Sequence, residues 1–155
     1  MPNPAVLVGL IADTHGLLRP EVARAFQGVD AILHAGDVGR TAVLDGLRDI
    51  ASVHAVCGNI DPPEARLPLA LECTLAGVRI HMSHGHECGS PTPQRLAAMY
   101  AADVLVFGHT HRSLIQAVGN TLVVNPGAAG PARFGLRPSV ALLALPALDA
   151  RIVWL

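Results

Sequence analysis

Hydrophobic and polar positions fall into blocks whose lengths alternate between strand-like and helix-like. The stretch AVLVGLIA (5–12) carries no charge until Asp13, and such an unbroken apolar run reads as a strand buried on both faces. RPEVARAFQG (19–28) follows with helical spacing, Pro20 near its first turn and Gly28 closing it. DAILHAG (30–36) is again strand-like, RTAVLDGLRDI (40–50) is an amphipathic helix, and ASVHAVCGN (51–59) returns to strand character. Strands separated by helical patterns of this length predict parallel β-α-β units.

The second half reads differently. LALECTLAGVRIHMSHG (69–85) predicts two strands turning at Ala76 and Gly77, and TPQRLAAMYAA (92–102) one helix. DVLVFGH (103–109) is a short strand, and SLIQAVGNTLVVN (113–125) is a hairpin turning at Gly119-Asn120. SVALLAL (139–145) and ARIVWL (150–155) complete the pattern. Parallel units followed by hairpins predict an α/β chain of two mixed sheets packed face to face with helices outside, a four-layer α-β-β-α sandwich. The 155 residues fit one domain, 1–155, and no repeat or linker divides them.

The polar residues that interrupt the apolar runs cluster at strand ends. Asp13 and His15 follow the first strand, Asp37 the second, Asn59 and Asp61 the third, His84 and His86 the next, and His109 and His111 the last of the set. Carboxyl ends of strands form the binding edge of an open α/β sheet, so five strand ends converge on one site. In an extended segment residues i and i+2 point to one side, so His109 with His111, His84 with His86, and Asp13 with His15 are each expected to project together. Seven donors, Asp13, His15, Asp37, Asn59, His84, His109 and His111, exceed one tetrahedral zinc but suit two ions sharing a ligand. The carboxylate of Asp37 has two oxygens with which to bridge them. The mix of carboxylate, amide and imidazole favours manganese, with iron, zinc or nickel as alternatives.

The ordered set DTH, GD, GNID, HGH and GHTH, from Asp13 to His111, resembles the calcineurin-like metallophosphoesterase family, in particular its small bacterial and archaeal phosphodiesterases. The resemblance implies a two-sheet sandwich, a first metal held by Asp13, His15 and His111, a second by Asn59, His84 and His109, and Asp37 between both. It makes Asp37, Asn59 and His84 catalytic as well as metal-binding, and Asp61 an orienting residue. It implies hydrolysis of small phosphodiesters through attack by a hydroxide shared by the two ions. NPGAAGPAR (125–133) also resembles a family stretch, with Ala128 where serine is usual; there Arg133 is the candidate for holding substrate phosphate. Many family members carry a proton-donating histidine directly after the asparagine, and Ile60 stands there instead. His86 or water is the candidate replacement.

Each candidate also has a plainer reading. Asp and Asn after strands commonly cap helices or form turns, and His34, His54 and His81, inside strands, read as packed or edge histidines. Arg19 and Arg112 read first as surface charges. Net charge is −1, so no nucleic-acid or membrane partner is indicated, and the absence of lysine carries no functional reading; the partner expected is a small phosphate ester, with a homo-oligomer allowed by the resemblance. Cys57, Cys73 and Cys88 lack metal or disulfide spacing, and the N-terminal run reads as neither secretory signal nor membrane span, which places the chain in the cytoplasm. A phosphomonoesterase, a 2′,3′-cyclic nucleotide phosphodiesterase, a binuclear carbonyl hydrolase and a non-catalytic metal-binding scaffold are the rival readings.

Overall fold

The first apolar run becomes β1 (Val6–Ile11), and its residues divide between two cores by simple alternation. Val8, Leu10 and Ala12 face one side, while Leu7 and Ile11 face the other. Gly9 lies on that second side, where a Cβ would come within 2.9 Å of the Phe26 ring. The computed structural model describes residues 2–155, with this strand at the centre of one of two five-stranded sheets.

In the first sheet β1 pairs in parallel with β2 (Ala31–His34), which pairs in parallel with β3 (Ser52–Ala55). On the other side β1 is antiparallel to β9 (Ser139–Leu145), itself antiparallel to β10 (Asp149–Trp154). The second sheet contains the hairpin β4 (Ala70–Leu75) and β5 (Val78–Ser83), then β6 (Val104–Val106), and the hairpin β7 (Leu114–Val118) and β8 (Thr121–Asn125). Its order is β4-β5-β6-β8-β7, with β6 parallel to both β5 and β8. Both predicted hairpins are present in the second sheet, while the two terminal strands, β9 and β10, pair antiparallel and join the first.

Three apolar clusters define four layers. Val8, Leu10, Leu33, Ile80, Met82, Val106 and Leu143 fill the space between the sheets. Val22 and Phe26 of the α1 (Glu21–Ala25) segment, with Val43, Leu44 and Leu47 of α2 (Thr41–Arg48), cover the outer face of the first sheet against Ile32 and Leu142. Leu96 of α3 (Pro93–Met99) covers the second against Leu105, Phe107 and Val123. This is the α-β-β-α sandwich of two mixed sheets.

Two helices are shorter than their patterns predict. α1 has five residues because Pro20 starts it and the chain turns out through Phe26 toward Gly28, which adopts φ +84°. α3 stops at Met99 because Tyr100 is extended (φ −126°, ψ 135°), where its ring stacks on His81 at 3.8 Å between centroids.

Candidate metal centre

The polar residues after the strands do not continue them. Asp13, His15, Asp37, His109 and His111 all have positive φ, between 47° and 70°, a left-handed conformation unusual for residues with a Cβ. The expectation of extended backbone at these pairs is therefore corrected, although Asp13 and His15 still meet in one donor group. A left-handed residue turns the chain sharply, and His109 and His111 reach different neighbours as a result.

Backbone contacts hold these turns. Asp13 N–H donates to Gly36 O and His15 N–H to Asp37 O, both at 3.0 Å, lacing the first two loops together. His109 N–H donates to Asp13 Oδ2 and Ile60 N–H to Asp37 Oδ1, again at 3.0 Å. Asp61 accepts from the amides of Gly58 (2.9 Å), Gly39 (3.0 Å) and Val38 (3.2 Å), fixing the second loop to the third. Close approach explains two of the glycines: a Cβ at Gly108 would sit 2.8 Å from Asp13 Oδ2, and one at Gly58 would collide with the carboxylate and amide of Asp37.

The seven donors come together in two overlapping groups. Asp13 Oδ1 lies 3.5 Å from His111 Nε2 and 3.8 Å from His15 Nε2, and the two imidazole nitrogens face each other at 3.4 Å. Asp37 Oδ2 lies 3.6 Å from His15 Nε2 and 3.4 Å from His84 Nε2. Asn59 Oδ1 meets His84 Nε2 at 3.0 Å and His109 Nδ1 at 3.1 Å. Asp13 Oδ1 also reaches His84 Nε2 at 3.8 Å, so the two groups share their buried carboxylates.

This donor set fits metal ions. Asp13 Oδ1 is buried with no hydrogen-bond partner, an arrangement costly for a carboxylate unless a cation meets it. Donors about 2.1 Å from one ion stand roughly 3–3.5 Å apart, close to the spacings here. The protonation of the wall agrees. His84 Nδ1–H donates to Ala35 O at 2.8 Å, which leaves Nε2 directed at the carboxylates. Burial disfavours charge on His84, but the hydrogen bond to Asp37 and the charge of Asp13 outweigh it and raise its pKa. Burial likewise opposes ionisation of Asp37, yet His84 and the Ile60 amide hold its carboxyl below the usual value. The pKa values of His15 and His109 are lowered, chiefly by burial, which favours the neutral imidazole that a metal ion would need. A proton and a metal ion compete for the same lone pairs here.

The other candidates lie around this centre. His86 stands beside it, its ring 5.4 Å from His84 and 6.3 Å from His109, with Nδ1 3.9 Å from Glu87 Oε2. Arg133 is exposed, near enough that its charge adds to the lowering of His15. Arg19 instead braces a loop, its Nε donating to Gly130 O at 3.0 Å, while Arg112 is exposed. Cys57 bonds its own loop, with Sγ 3.4 Å from Gly58 O, and Cys88 meets Met99 Sδ at 3.2 Å. His54 is exposed on β3, and His81 packs against Tyr100.

Three residues support the centre in ways the sequence does not specify, although His34 is placed by its sequence position beneath Asp37 and Asn125 opens the family-like NPG stretch. Thr14 Oγ1 donates to Val38 O (2.9 Å) and so accepts from His34 Nε2–H (2.9 Å), while His34 Nδ1 accepts from Gly36 N–H (3.2 Å). This chain of bonds fixes His34 as a neutral buried ring below the centre, and burial pushes its pKa down to about 4. Asn125, also fully buried, donates to Gly108 O at 3.0 Å and Thr110 Oγ1 at 3.1 Å, setting the turn that carries His109 and His111. A polar residue inside an apolar strand was the available signal for His34 and Asn125; nothing in the sequence marks Thr14 as more than a turn residue.

Known proteins share this pattern. Residues 6–147 match the calcineurin-like phosphoesterase superfamily domain. The probable metallophosphoesterase MJ0623 of Methanocaldococcus jannaschii is 34% identical over 96% of this chain and 81% of its own length. Phosphodiesterase YfcE of Escherichia coli K12 is 30% identical over 72% of this chain and 66% of its own. Among solved structures, wild-type Vps29 of Entamoeba histolytica complexed with zinc superposes with a TM-score of 0.77 at 26% identity, covering 96% of this chain and 98% of that one. By its family match, its fold and the order of its strand-end residues, this chain belongs to the calcineurin-like phosphoesterase superfamily.

Proposed function

We propose that this protein is a dinuclear, metal-dependent phosphodiesterase acting on small diesters. The observation that carries the proposal is Asp37 Oδ2, which lies 3.6 Å from His15 and 3.4 Å from His84, one nitrogen from each donor group. Asp13, His15 and His111 would hold one divalent ion and Asn59, His84 and His109 the other, with Asp37 between them. Two such ions, manganese by preference, supply when bound a water of lowered pKa and positive charge for a phosphoryl group.

The chain's own part is preorganisation. Ile60 N–H, His109 N–H and the Asp61 brace hold both carboxylates in place before substrate arrives. Asn59 is exposed at the mouth, where a phosphate would enter beside Arg133. Ile60, 47% exposed at the same mouth, has no proton to give, so departure of the leaving group relies on its own acidity, on His86 or on water. The three cysteines, all free, suit a reducing compartment such as the cytoplasm.

The test compares hydrolysis of a bis-aryl phosphate diester with that of its aryl monoester, using chelator-stripped protein with and without Mn²⁺. Turnover that needs Mn²⁺ and runs faster on the diester is the expected result. Faster turnover of the monoester would make this a phosphomonoesterase. Metal binding without turnover of either would leave the scaffold and carbonyl-hydrolase readings in its place.

A further inference from the structure

Beside His111 lies an open groove of about 370 Å³ lined by Arg112, Leu136, Arg137 and Trp154. Its size falls in the range of small-molecule sites, and His111 belongs to both the groove and the metal centre, so the two are continuous. Two features of the groove suit an anionic aromatic ligand. It carries two arginines that pair with no Asp or Glu side chain: among the described residues, the arginine pairs of that kind are those of Arg48 and Arg79. It also exposes the ring of Trp154 in a chain whose residues are only 3% aromatic.

The aromatics are placed for stacking. Trp154 is 49% exposed, and the Arg137 guanidinium lies 5.9 Å from its ring centroid, with Nε donating to Leu155 O at 3.4 Å. Phe134 is 76% exposed, stands 5.6 Å from His111 and is held in a left-handed conformation with φ +56°. Beside His111, this bulky apolar ring leaves most of its surface in water on a strained backbone.

We propose that this groove binds one arm of the diester, and that the arm is a nucleoside carrying a second phosphate. The base stacks on Trp154, and the second phosphate is met by Arg112 and Arg137, whose forked donors match phosphate oxygens. This rests on the phosphodiesterase reading, and names the substrate class for it: nucleotidyl phosphodiesters with an additional terminal phosphate on the bound nucleoside.

Three diesters with one shared aryl leaving group test it: the methyl ester, the thymidine 5′ ester, and the thymidine 5′ ester bearing a 3′-phosphate. The value of kcat/KM should rise at each step, by roughly tenfold for the step that adds the 3′-phosphate. Arg137→Ala should abolish that last step, and Trp154→Ala the step that adds the base. Equal kcat/KM for all three esters overturns the proposal, as does a preference that survives both substitutions. Binding is read separately by the fluorescence of Trp154, the chain's one tryptophan, excited where nucleotides are transparent, in metal-free protein titrated with thymidine 3′,5′-bisphosphate. Saturable quenching, weakened by Arg137→Ala and not reproduced by inorganic phosphate, is expected. Quenching no greater than that by inorganic phosphate overturns the groove. Specific quenching with no turnover of any ester would keep the groove and remove the phosphodiesterase reading.

Discussion

The two walls of the metal centre are built to different standards. The inner wall, Asp13, Asp37 and His84, is buried, and each of these side chains is fixed by a backbone group: His109 N–H, Ile60 N–H and Ala35 O. The outer wall, Asn59, Ile60, Arg133 and Phe134, is exposed, and of these side chains only that of Asn59 makes a hydrogen bond, to the two histidines behind it. Rigid donors aimed at one place are what electrostatic catalysis requires, whereas an open rim of apolar and cationic groups is where substrates are told apart. Under the proposed function, chemistry falls to the inner wall and selection to the outer one, and each substitution below tests one side of that division.

The largest effect is expected at Asp37. Asp37→Asn keeps an Oδ1 to accept from Ile60 N–H but halves the charge shared by the inner wall, so activity should fall by at least about 10³-fold with little change in thermal midpoint. Steady-state kinetics beside a melting curve decides it. Full activity in this variant would mean that the inner wall does not perform the chemistry.

The support beneath that wall should reveal itself in acid. Folded His34 takes a proton only near pH 4, while an unfolded histidine does so near 6.5, so between these values the unfolded chain binds more protons. Stability then rises with pH through this window and is lost as pH falls from about 6.5 toward 4, by roughly 3 kcal/mol in all. Urea unfolding across that range measures the slope. His34→Gln, which retains a donor for Thr14 and an acceptor for Gly36, should flatten it; an unchanged slope would place the acid sensitivity elsewhere.

The same division separates what could be read from the sequence. Alternating strand and helix lengths fixed the layers, because burial on two faces leaves an uninterrupted apolar run such as Val6–Ile11. The candidate ligands were legible because each is a polar residue ending such a run. Their conformation was not: five left-handed residues depend on amides and glycines from other loops, which periodicity does not record. Nor was the Thr14–His34–Gly36 chain, since a histidine within a strand looks the same whether it supports a site or merely packs. Trp154 and Arg137, far from His111 in sequence, meet it only through the pairing of β9 with β10 and the loop before them.

On the outer wall, Ile60→His would supply the proton donor that the mouth lacks. The wild-type rate should depend steeply on leaving-group pKa, and the variant should gain up to about 10²-fold on poor leaving groups and little on good ones. A Brønsted plot for each protein measures both slopes. A wild-type plot that is already flat would identify a proton donor among the groups present, with His86 nearest.

The smallest effect is expected at Arg133, and it divides the walls most sharply. Its guanidinium is exposed and has no carboxylate partner among the described residues, so removing it should leave the fold intact. Water also hydrates a phosphate well, so an exposed cation adds only modest affinity; Arg133→Ala should raise KM by about 3–10-fold and leave kcat nearly unchanged. Raised salt should shrink the difference between the two proteins, because screening acts on exposed charges. A fall in kcat with KM constant would instead mean that Arg133 meets charge developing in the transition state. In that case the outer wall would share in the chemistry, and the boundary between the two walls would have to be drawn beyond Arg133.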